Sequence, residues 1–258
     1  MQHSIKFNRT TRPSAQFFNG VSSVTDQTRN SLLQHYQRVL NRIHQAEKAA
    51  KRTPGSVKLL AVSKTRSAEE IGLLADLGHQ RFGENYLQEA LTKIEQLRGK
   101  GLEWHFIGRI QSNKTRAIAE NFTWVHSVAS LKHATRLSDQ RPSDLPPLNI
   151  CLQVNSSGES SKDGYSEERL REQFEACTAL PNVRIRGLMT IPAPAADEAA
   201  KHTPLKRLRL LRDELKSAKI PLDTLSMGMS DDLEAAIAEG TTIVRIGTAI
   251  FGPRQYNQ

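Results

Sequence analysis

Cysteine is scarce in this sequence, with two residues among 258. Cys151 and Cys177 fall in a predicted strand and a predicted helix, and their spacing matches neither a disulfide framework nor a metal site. The eight histidines likewise form no ligand cluster along the chain. We therefore expect no bound metal, and we expect a reducing compartment, with the cytoplasm as the default location.

Long apolar runs and early acidic residues are also missing. No stretch reaches the unbroken apolar length of a membrane span, so no membrane partner is expected. The first 25 residues contain Lys6, Arg9 and Arg12 but no acid, and Asp26 is the first. Such a start is typical of a disordered extension or of an organelle transit peptide. We favour a disordered extension over residues 1–25.

The net charge of +9 raises the question of a nucleic-acid partner. The basic residues are scattered along predicted helices and mixed with acids, and no zinc finger, RNP motif or aromatic-studded basic stretch occurs. We interpret the charge as a solvated basic surface and expect no nucleic-acid partner.

Short apolar runs alternate with amphipathic stretches from residue 57 onwards, which predicts parallel strands joined by helices. The predicted strands are Val57–Ser63, Gln80–Gly83, Glu103–Ile107, Thr123–His126, Leu148–Val154, Arg184–Met189, Asp223–Met227 and Thr242–Ile246. The helices that follow the first seven are Ala68–Leu77, Leu87–Leu97, Ser112–Glu120, Leu131–Asp139, Glu167–Thr178, Leu205–Ser217 and Asp231–Ala238. Eight such units predict a single-domain (β/α)8 TIM barrel over residues 26–258. The rival is a doubly wound open sheet, but no Gly-rich dinucleotide fingerprint follows the first strand.

The two ends of the predicted barrel differ from a regular repeat. Little chain follows the eighth strand, which leaves no room for a second domain. A helical pattern over Asp26–Arg52 precedes the first strand. We expect this N-terminal helix to cover the side where a full eighth helix is lacking.

Polar residues and glycines follow several strands at the end where barrel enzymes place their chemistry. The candidate residues there are Lys64, Asn85, His105, Ser226, Met227, Gly228, Ser230, Arg245, Gly247 and Thr248. Each has a structural alternative: a glycine can serve a turn, Ser230 can cap a helix, and His105 can be a satisfied core residue. Their coincidence at one rim favours a binding site.

The types of residue at this rim indicate an aldehyde that carries a phosphate. Glycines after the last two strands allow backbone N–H groups to approach phosphate oxygens. Lys64, on the neighbouring first strand, lies among apolar residues, which favour the neutral amine that attacks an aldehyde. Pyridoxal 5′-phosphate (PLP) and a sugar-phosphate aldehyde both satisfy this pattern.

Arg245 favours PLP of the two. A buried arginine needs an acceptor, and a pyridine nitrogen is suitable. Because arginine stays protonated, it would donate to that nitrogen and leave it unprotonated, which makes the ring a weaker electron sink. The alternative is that Arg245 pairs with a carboxylate inside the barrel.

At these residues the sequence closely resembles the PLP homeostasis protein family. The resemblance rests on "LLAVSKT", "RFGENYLQEA", "LEWHFIGRIQSNK", "RIRGLMTIPAP" and "LSMGMSDDLEAAIAEGTTIVRIGTAIFG", in this order between Val57 and Gly252. It implies a fold like the N-terminal barrel of alanine racemase, and PLP held as a Schiff base on Lys64. It further implies that Asn85 and His105 line the pocket and that Arg245 faces the pyridine nitrogen. It implies that Ser226, Gly247 and Thr248 hold the phosphate beside the Met227–Ser230 loop.

The resemblance also implies a role. The family is expected to bind and deliver PLP, with apo forms of PLP-dependent enzymes as recipients, and to support amino- and keto-acid balance without catalysis. A PLP-dependent racemase would need a second base, for which Tyr256 is a poorly positioned candidate, and a Schiff-base aldolase would need an acid–base group such as Glu84. The sequence departs from the family at Arg109-Ile110, where a proline and a hydrophobic residue are usual. We expect a monomer.

Overall fold

The structure is a computed structural model that describes residues 25–156 and 163–253. The predicted extension over residues 1–25 lies, apart from Thr25, outside the described residues, and so does Tyr256.

Eight parallel strands of the described chain close into one barrel in sequence order, with the last strand paired to the first. They are β1 (Lys58–Val62), β2 (Arg81–Glu84), β3 (Glu103–Phe106), β4 (Trp124–Val128), β5 (Leu148–Gln153), β6 (Val183–Met189), β7 (Thr224–Ser226) and β8 (Ile243–Ile246). The predicted (β/α)8 barrel is therefore confirmed, and the open doubly wound sheet is wrong.

Helices follow the strands and cover the outside of the barrel. They are α1 (Asp26–Ala49), α2 (Ala68–Asp76), α3 (Leu87–Gln96), α4 (Thr115–Asn121), α5 (Leu131–Asp139), α6 (Glu167–Thr178), α7 (Glu198–Leu215), α8 (Leu233–Ala238) and α9 (Thr248–Phe251). Helix α7 begins about two turns before its predicted start at Leu205. The side chain of Asp197 caps it by accepting from the N–H of Ala200, whereas the apolar pattern begins only at the first buried leucine.

Alternation along the strands divides the apolar residues between two layers. On β1, Leu59 and Ala61 join the large core between the sheet and the helices. Leu60 packs inside the barrel with Ile107 and Ile243. This period of two follows from the pleat of the strand, and it determines which side chains can meet at the barrel axis.

Helix α1 covers the gap beside the short α9, as the sequence predicted. Its apolar stripe is buried, and Arg42 pairs with Glu234 of α8 at 2.9 Å. At its end, the buried carboxylate of Glu47 accepts the backbone N–H of Val57 at 2.8 Å, just before β1. The helix therefore helps to position the strand that leads to Lys64.

Within the described residues, no helix combines the length and apolar character needed to cross a membrane.

Candidate functional site

Lys64 lies just beyond β1, in a turn at the carboxyl end of the barrel, and it is half-buried. The pairing of β1 with β8 aligns Ala61 with Ile246, so the chain leaves both strands side by side. The carbonyl oxygen of Val62 lies 3.1 Å from the position that a Cβ would take on Gly247. The lysine and the glycine turn after β8 therefore belong to the same rim.

The turn that carries Lys64 is strained. Strand β1 ends at Val62, one residue before its predicted end, and Thr65 has a φ of 63°. A β-branched residue rarely adopts this left-handed conformation, and such residues cluster at functional sites. The N–H of Thr65 donates to Oε1 of Glu89 at 2.6 Å, which helps to hold the turn.

A buried ion cluster behind the turn supplies further support. Nζ of Lys93, on α3, donates to the carbonyl of Ser63 at 2.7 Å, to Oε1 of Glu84 at 2.9 Å and to Oε1 of Glu89 at 2.5 Å. The hydroxyl of Ser63 donates to the same oxygen of Glu84 at 2.6 Å. With the amide contact of Glu89, these bonds anchor the backbone on both sides of Lys64.

Glu84 faces this cluster and the helix layer. Its neighbour Gly83 takes the other face of β2, against Leu60 inside the barrel. Burial raises the pKa of Glu84, although Lys93 and Ser63 act in the opposite direction. The acid–base role that an aldolase would require of Glu84 therefore has no support in this geometry.

Asn85 follows β2 at the same rim, because Gly83, two residues before it, pairs with Val62. The Oδ1 atom of Asn85 is buried and has no hydrogen-bond partner among the described residues. Gly108, after β3, approaches so closely that a Cβ there would lie 2.0 Å from the carbonyl oxygen of Asn85. A buried oxygen without a partner is costly, so this atom is suited to accept from a ligand.

The turn after β7 contains three of the predicted residues, Met227, Gly228 and Ser230. The side chain of Met227 is fully buried in the core, so only its backbone is available to a ligand at the rim. Gly228 has a φ of 96°, and a Cβ there would lie 2.6 Å from the Cβ of Ala236 in α8. Its carbonyl accepts the N–H of Arg245 at 2.9 Å, which joins this turn to β8.

The remainder of this turn is held from outside the barrel. Nη2 of Arg42, on α1, donates to the carbonyl of Ser230 at 3.1 Å. The N–H of Met229 donates to Oδ1 of Asp232 at 2.6 Å, just before α8. Ser230 does not cap α8, since the N-cap position belongs to Asp232.

Gly247 and Thr248 form the turn after β8. Gly247 is the N-cap of the short α9, and Thr248 is exposed as its first residue. The first N–H groups of a helix have no acceptor within it, so amides are available here for a ligand. Because β7 pairs with β8 and β8 with β1, the two glycine turns and Lys64 lie on three successive strands.

Arg245 lies inside the barrel, next to these turns. It is 5% exposed, and it donates from Nη1 to Oγ of Ser226 and from Nη2 to the carbonyl of Thr190, both at 2.8 Å. No described carboxylate forms an ion pair with it, so the alternative of an interior carboxylate partner is not observed. Burial lowers the pKa of Arg245 to about 10. The site therefore holds a buried cation with neutral acceptors only.

Below Arg245, polar side chains continue along the barrel axis. Oγ of Ser226 lies 2.7 Å from Nδ1 of His126, and Nε2 of His126 lies 2.8 Å from Nδ1 of His105. Nε2 of His105 lies 2.8 Å from Oε1 of Glu103. His105 is thus separated from Arg245 by two side chains, and the hydroxyl of Ser226 is engaged in the interior. That His105 lines the pocket and Ser226 holds phosphate stay predictions.

The two histidines and the glutamate at the end of this chain have shifted pKa values. Burial lowers the pKa of His105, against the opposing effect of Glu103. Burial, with His105 and Arg245 nearby, holds the pKa of His126 well below its usual range. The hydrogen bond from His105 lowers the pKa of Glu103. Both imidazoles are therefore neutral and Glu103 is ionised near pH 7.

The amino end of the barrel opens into a cavity of about 390 Å³, which is lined by His105 and Glu103, the last two members of this hydrogen-bond chain. Lys58, Arg81 and Arg186 also line it. This mouth lies opposite the rim that carries Lys64.

The arrangement fits PLP. Arg245 supplies a buried donor for a pyridine nitrogen, Asn85 offers an unpartnered oxygen, and the turns at Gly228 and Gly247 offer backbone amides beside Lys64. Within the described residues, no group of three histidine, cysteine or acidic side chains is placed to hold a metal ion.

Sequence reasoning missed His126, Lys93 and Glu89. His126 is the last residue of its predicted strand, but β4 continues to Val128, which places His126 in the barrel interior. Lys93 and Glu89 are spaced as an ordinary surface pair on a helix, so their pattern could not reveal that Lys93 is buried.

Comparisons with known proteins agree on one family. The family described as alanine racemase, N-terminal domain, matches residues 38–255. The pyridoxal phosphate homeostasis protein of Pseudomonas aeruginosa is 57% identical over 88% of this chain and 97% of its own length. That of Escherichia coli is 47% identical over 89% of this chain and 99% of its own length. The solved structure of PipY from Synechococcus elongatus with PLP bound has a TM-score of 0.73 and 36% identity, over 81% of this chain and 100% of that one.

Proposed function

Because this chain belongs to the pyridoxal phosphate homeostasis protein family, we propose that it binds PLP and acts in intracellular PLP homeostasis and in amino- and keto-acid balance. The single observation that carries the proposal is Arg245, a buried cation whose partners are one hydroxyl and one carbonyl. Arg245 lies beside a rim that also carries a lysine, an unpartnered amide oxygen and two glycine turns.

In this proposal, each residue of the site binds a different part of the cofactor. Lys64 holds the aldehyde carbon as a Schiff base, with loss of one water, and Arg245 donates to the pyridine nitrogen. Asn85, with its unpartnered Oδ1, lines the pocket beside the bound group. The amides around Gly228, Gly247 and Thr248 hold the phosphate, with Ser230 at the edge of its turn. When bound, PLP supplies an aldehyde that captures amines and a ring that accepts electron density.

We further propose that the protein is a carrier and not an enzyme. Arg245 remains protonated and donates, so it does not transfer its proton to the ring and the ring stays a weak electron sink. Glu84 is engaged by Lys93 on the outer face of the sheet, which leaves it unsuited to acid–base work at the rim. A racemase acting on amino acids is the alternative.

The expected setting follows from the same reasoning. We propose apo forms of PLP-dependent enzymes as recipients and the cytoplasm as the location, which the two free, buried cysteines support. We propose that the protein acts as a monomer.

Borohydride trapping tests the binding proposal. The purified protein should take up PLP and absorb visible light, and reduction should leave the cofactor on the peptide that contains Lys64. Lys64→Ala should abolish the adduct, whereas Lys48→Ala, at an exposed position on α1, should not change it. A wild-type protein without a reducible adduct would refute the proposal.

Two assays separate a carrier from an enzyme. The loaded protein should transfer PLP to an apo-enzyme faster than it releases PLP spontaneously. Amino acids incubated with the loaded protein in deuterated water should keep their α-protons. Rapid exchange that Lys64→Ala abolishes would establish the racemase-like alternative.

A further inference from the structure

The polar side chains along the barrel axis form one continuous chain of hydrogen bonds. It runs from Arg245 through Ser226, His126 and His105 to Glu103. Its first four members are nearly or fully buried, and only Glu103 reaches the solvent, at the opposite mouth. The cofactor end of the barrel is thereby connected to the amino end through side chains alone.

The two ends of this chain determine where its hydrogens lie. A guanidinium can only donate, and an ionised carboxylate can only accept. Glu103 therefore accepts from Nε2 of His105, and a neutral His105 must then accept at Nδ1 from Nε2–H of His126. Nδ1 of His126 in turn accepts the hydroxyl hydrogen of Ser226, whose lone pairs remain for Arg245. All donors point from the carboxyl end towards the amino end.

Hydrogen bonds that point in the opposite direction along this chain would require an additional proton. Either Glu103 would have to be protonated, or His105 would have to carry two hydrogens inside the barrel. His105 is fully buried beside His126, so a second proton there would place a charged ring away from solvent. The lowered pKa of His105 opposes the doubly protonated ring, and the lowered pKa of Glu103 opposes a protonated carboxyl.

We propose that His126 is a positioning residue of the cofactor site: it orients the Ser226 hydroxyl, and through that hydroxyl the Arg245 guanidinium. We call this series of hydrogen bonds, in which every donor points towards the amino end, the one-way chain. The proposal rests on the proposed function, because it gives the chain a role in binding PLP. His126 contacts Ser226 and His105, so it acts on the cofactor site through Ser226 and Arg245.

The hydrogen positions can be tested without any cofactor. Nitrogen chemical shifts of the histidine rings, measured by NMR on the intact protein at pH 7, should report neutral Nε2–H tautomers for both His105 and His126. An Nδ1–H tautomer at His126, or a charged ring at His105, would overturn the one-way chain even if the protein binds PLP normally.

Three substitutions at His126 separate its two contacts. His126→Asn retains an acceptor near the position of Nδ1 and should bind PLP within about threefold of the wild type. His126→Gln extends past Ser226 towards His105, and His126→Leu removes both contacts. The Gln and Leu variants leave the Ser226 hydroxyl without its acceptor. Both should therefore weaken PLP binding at least about tenfold and shift the absorption of bound PLP.

The order of the variants distinguishes positioning from a general effect on the fold. If His126 is a positioning residue, the variant that keeps an acceptor for Ser226 should bind PLP most tightly. PLP affinity should then be higher for His126→Asn than for His126→Gln and His126→Leu, even when unfolding measurements rank the three variants differently. His44→Asn, at an exposed position on α1, is the matched control and should change nothing. Affinities that follow stability alone, or a Leu variant that binds PLP with an unchanged spectrum, would refute the proposal. A wild-type protein that does not bind PLP would instead refute the proposed function.

Discussion

Lys64 and Arg245 lie at the same end of the barrel, yet two different kinds of polar network hold them. Behind Lys64, a cation and two carboxylates, Lys93, Glu84 and Glu89, meet between the sheet and α3 and bind the backbone. Behind Arg245, the neutral side chains of Ser226, His126 and His105 lie between two charged ones, Arg245 and Glu103. The first network anchors a strained turn, whereas the second orients a side chain. Charge clusters are sensitive to the loss of one member, and neutral chains are sensitive to the direction of their hydrogens.

The comparison predicts that breaking the ion cluster has the largest effect on stability. Lys93→Met would leave Glu84 and Glu89 facing each other without their cation, so the free energy of unfolding should fall by about 3–5 kcal/mol. Urea denaturation measures this change. Lys100→Met, which removes an exposed pair with Asp76, should cost less than about 1 kcal/mol. Equal effects of the two substitutions would show that the buried cluster contributes no more than a surface pair.

Removing the buried cation should have the next largest effect, and it should appear in binding. Arg245→Gln retains a donor but loses the charge and the fixed fork, so PLP should bind more weakly by about 1.5–3 kcal/mol. Titration of the cofactor with the purified variant measures this loss. Arg116→Gln, at the exposed Arg116–Glu120 pair, is the control. An unchanged affinity would remove Arg245 from the proposed site.

The neutral chain predicts a pH dependence of stability. Burial lowers the pKa of His126, so in a window that begins below about pH 6.5 the unfolded chain binds a proton that the folded chain does not. Stability is therefore present above this window and falls as the pH decreases, by up to about 1.4 kcal/mol per pH unit for each such histidine. His126→Asn should reduce this slope by one such contribution. Identical slopes for His126→Asn and the wild type would contradict a neutral His126.

Relief of backbone strain in the turn that carries Lys64 should have the smallest effect on the free energy of unfolding. Thr65→Gly removes the cost of a β-branched residue at positive φ but adds backbone entropy to the unfolded state. The two terms nearly cancel, and we expect stability to rise by up to about 1 kcal/mol. Thr53→Gly, where no such conformation is relieved, should lower stability slightly. Thermal unfolding distinguishes the two signs, and a loss in both variants would show that the turn at Thr65 stores no strain.

The strand ends show how far reading the sequence could reach. Lys64, Asn85, Gly228 and Gly247 were predicted at one rim because each follows an apolar run, and parallel strands bring their carboxyl ends together. The structure places them there. Lys93 was not predicted, because its spacing from Glu89 is that of any exposed helical ion pair, and only packing against β1 and β2 reveals its burial.

The amino-acid sequence alone determined the alternation of strands and helices, the closed barrel that follows from it, and the types of residue at its rim, since periodicity and turn chemistry are local properties. Only the tertiary structure decided that Arg245 meets a hydroxyl instead of a carboxylate, and that two distant histidines connect it to Glu103. The physical reason is that a hydrogen bond depends on positions within a few tenths of an ångström, which closure of the barrel sets and spacing along the chain does not.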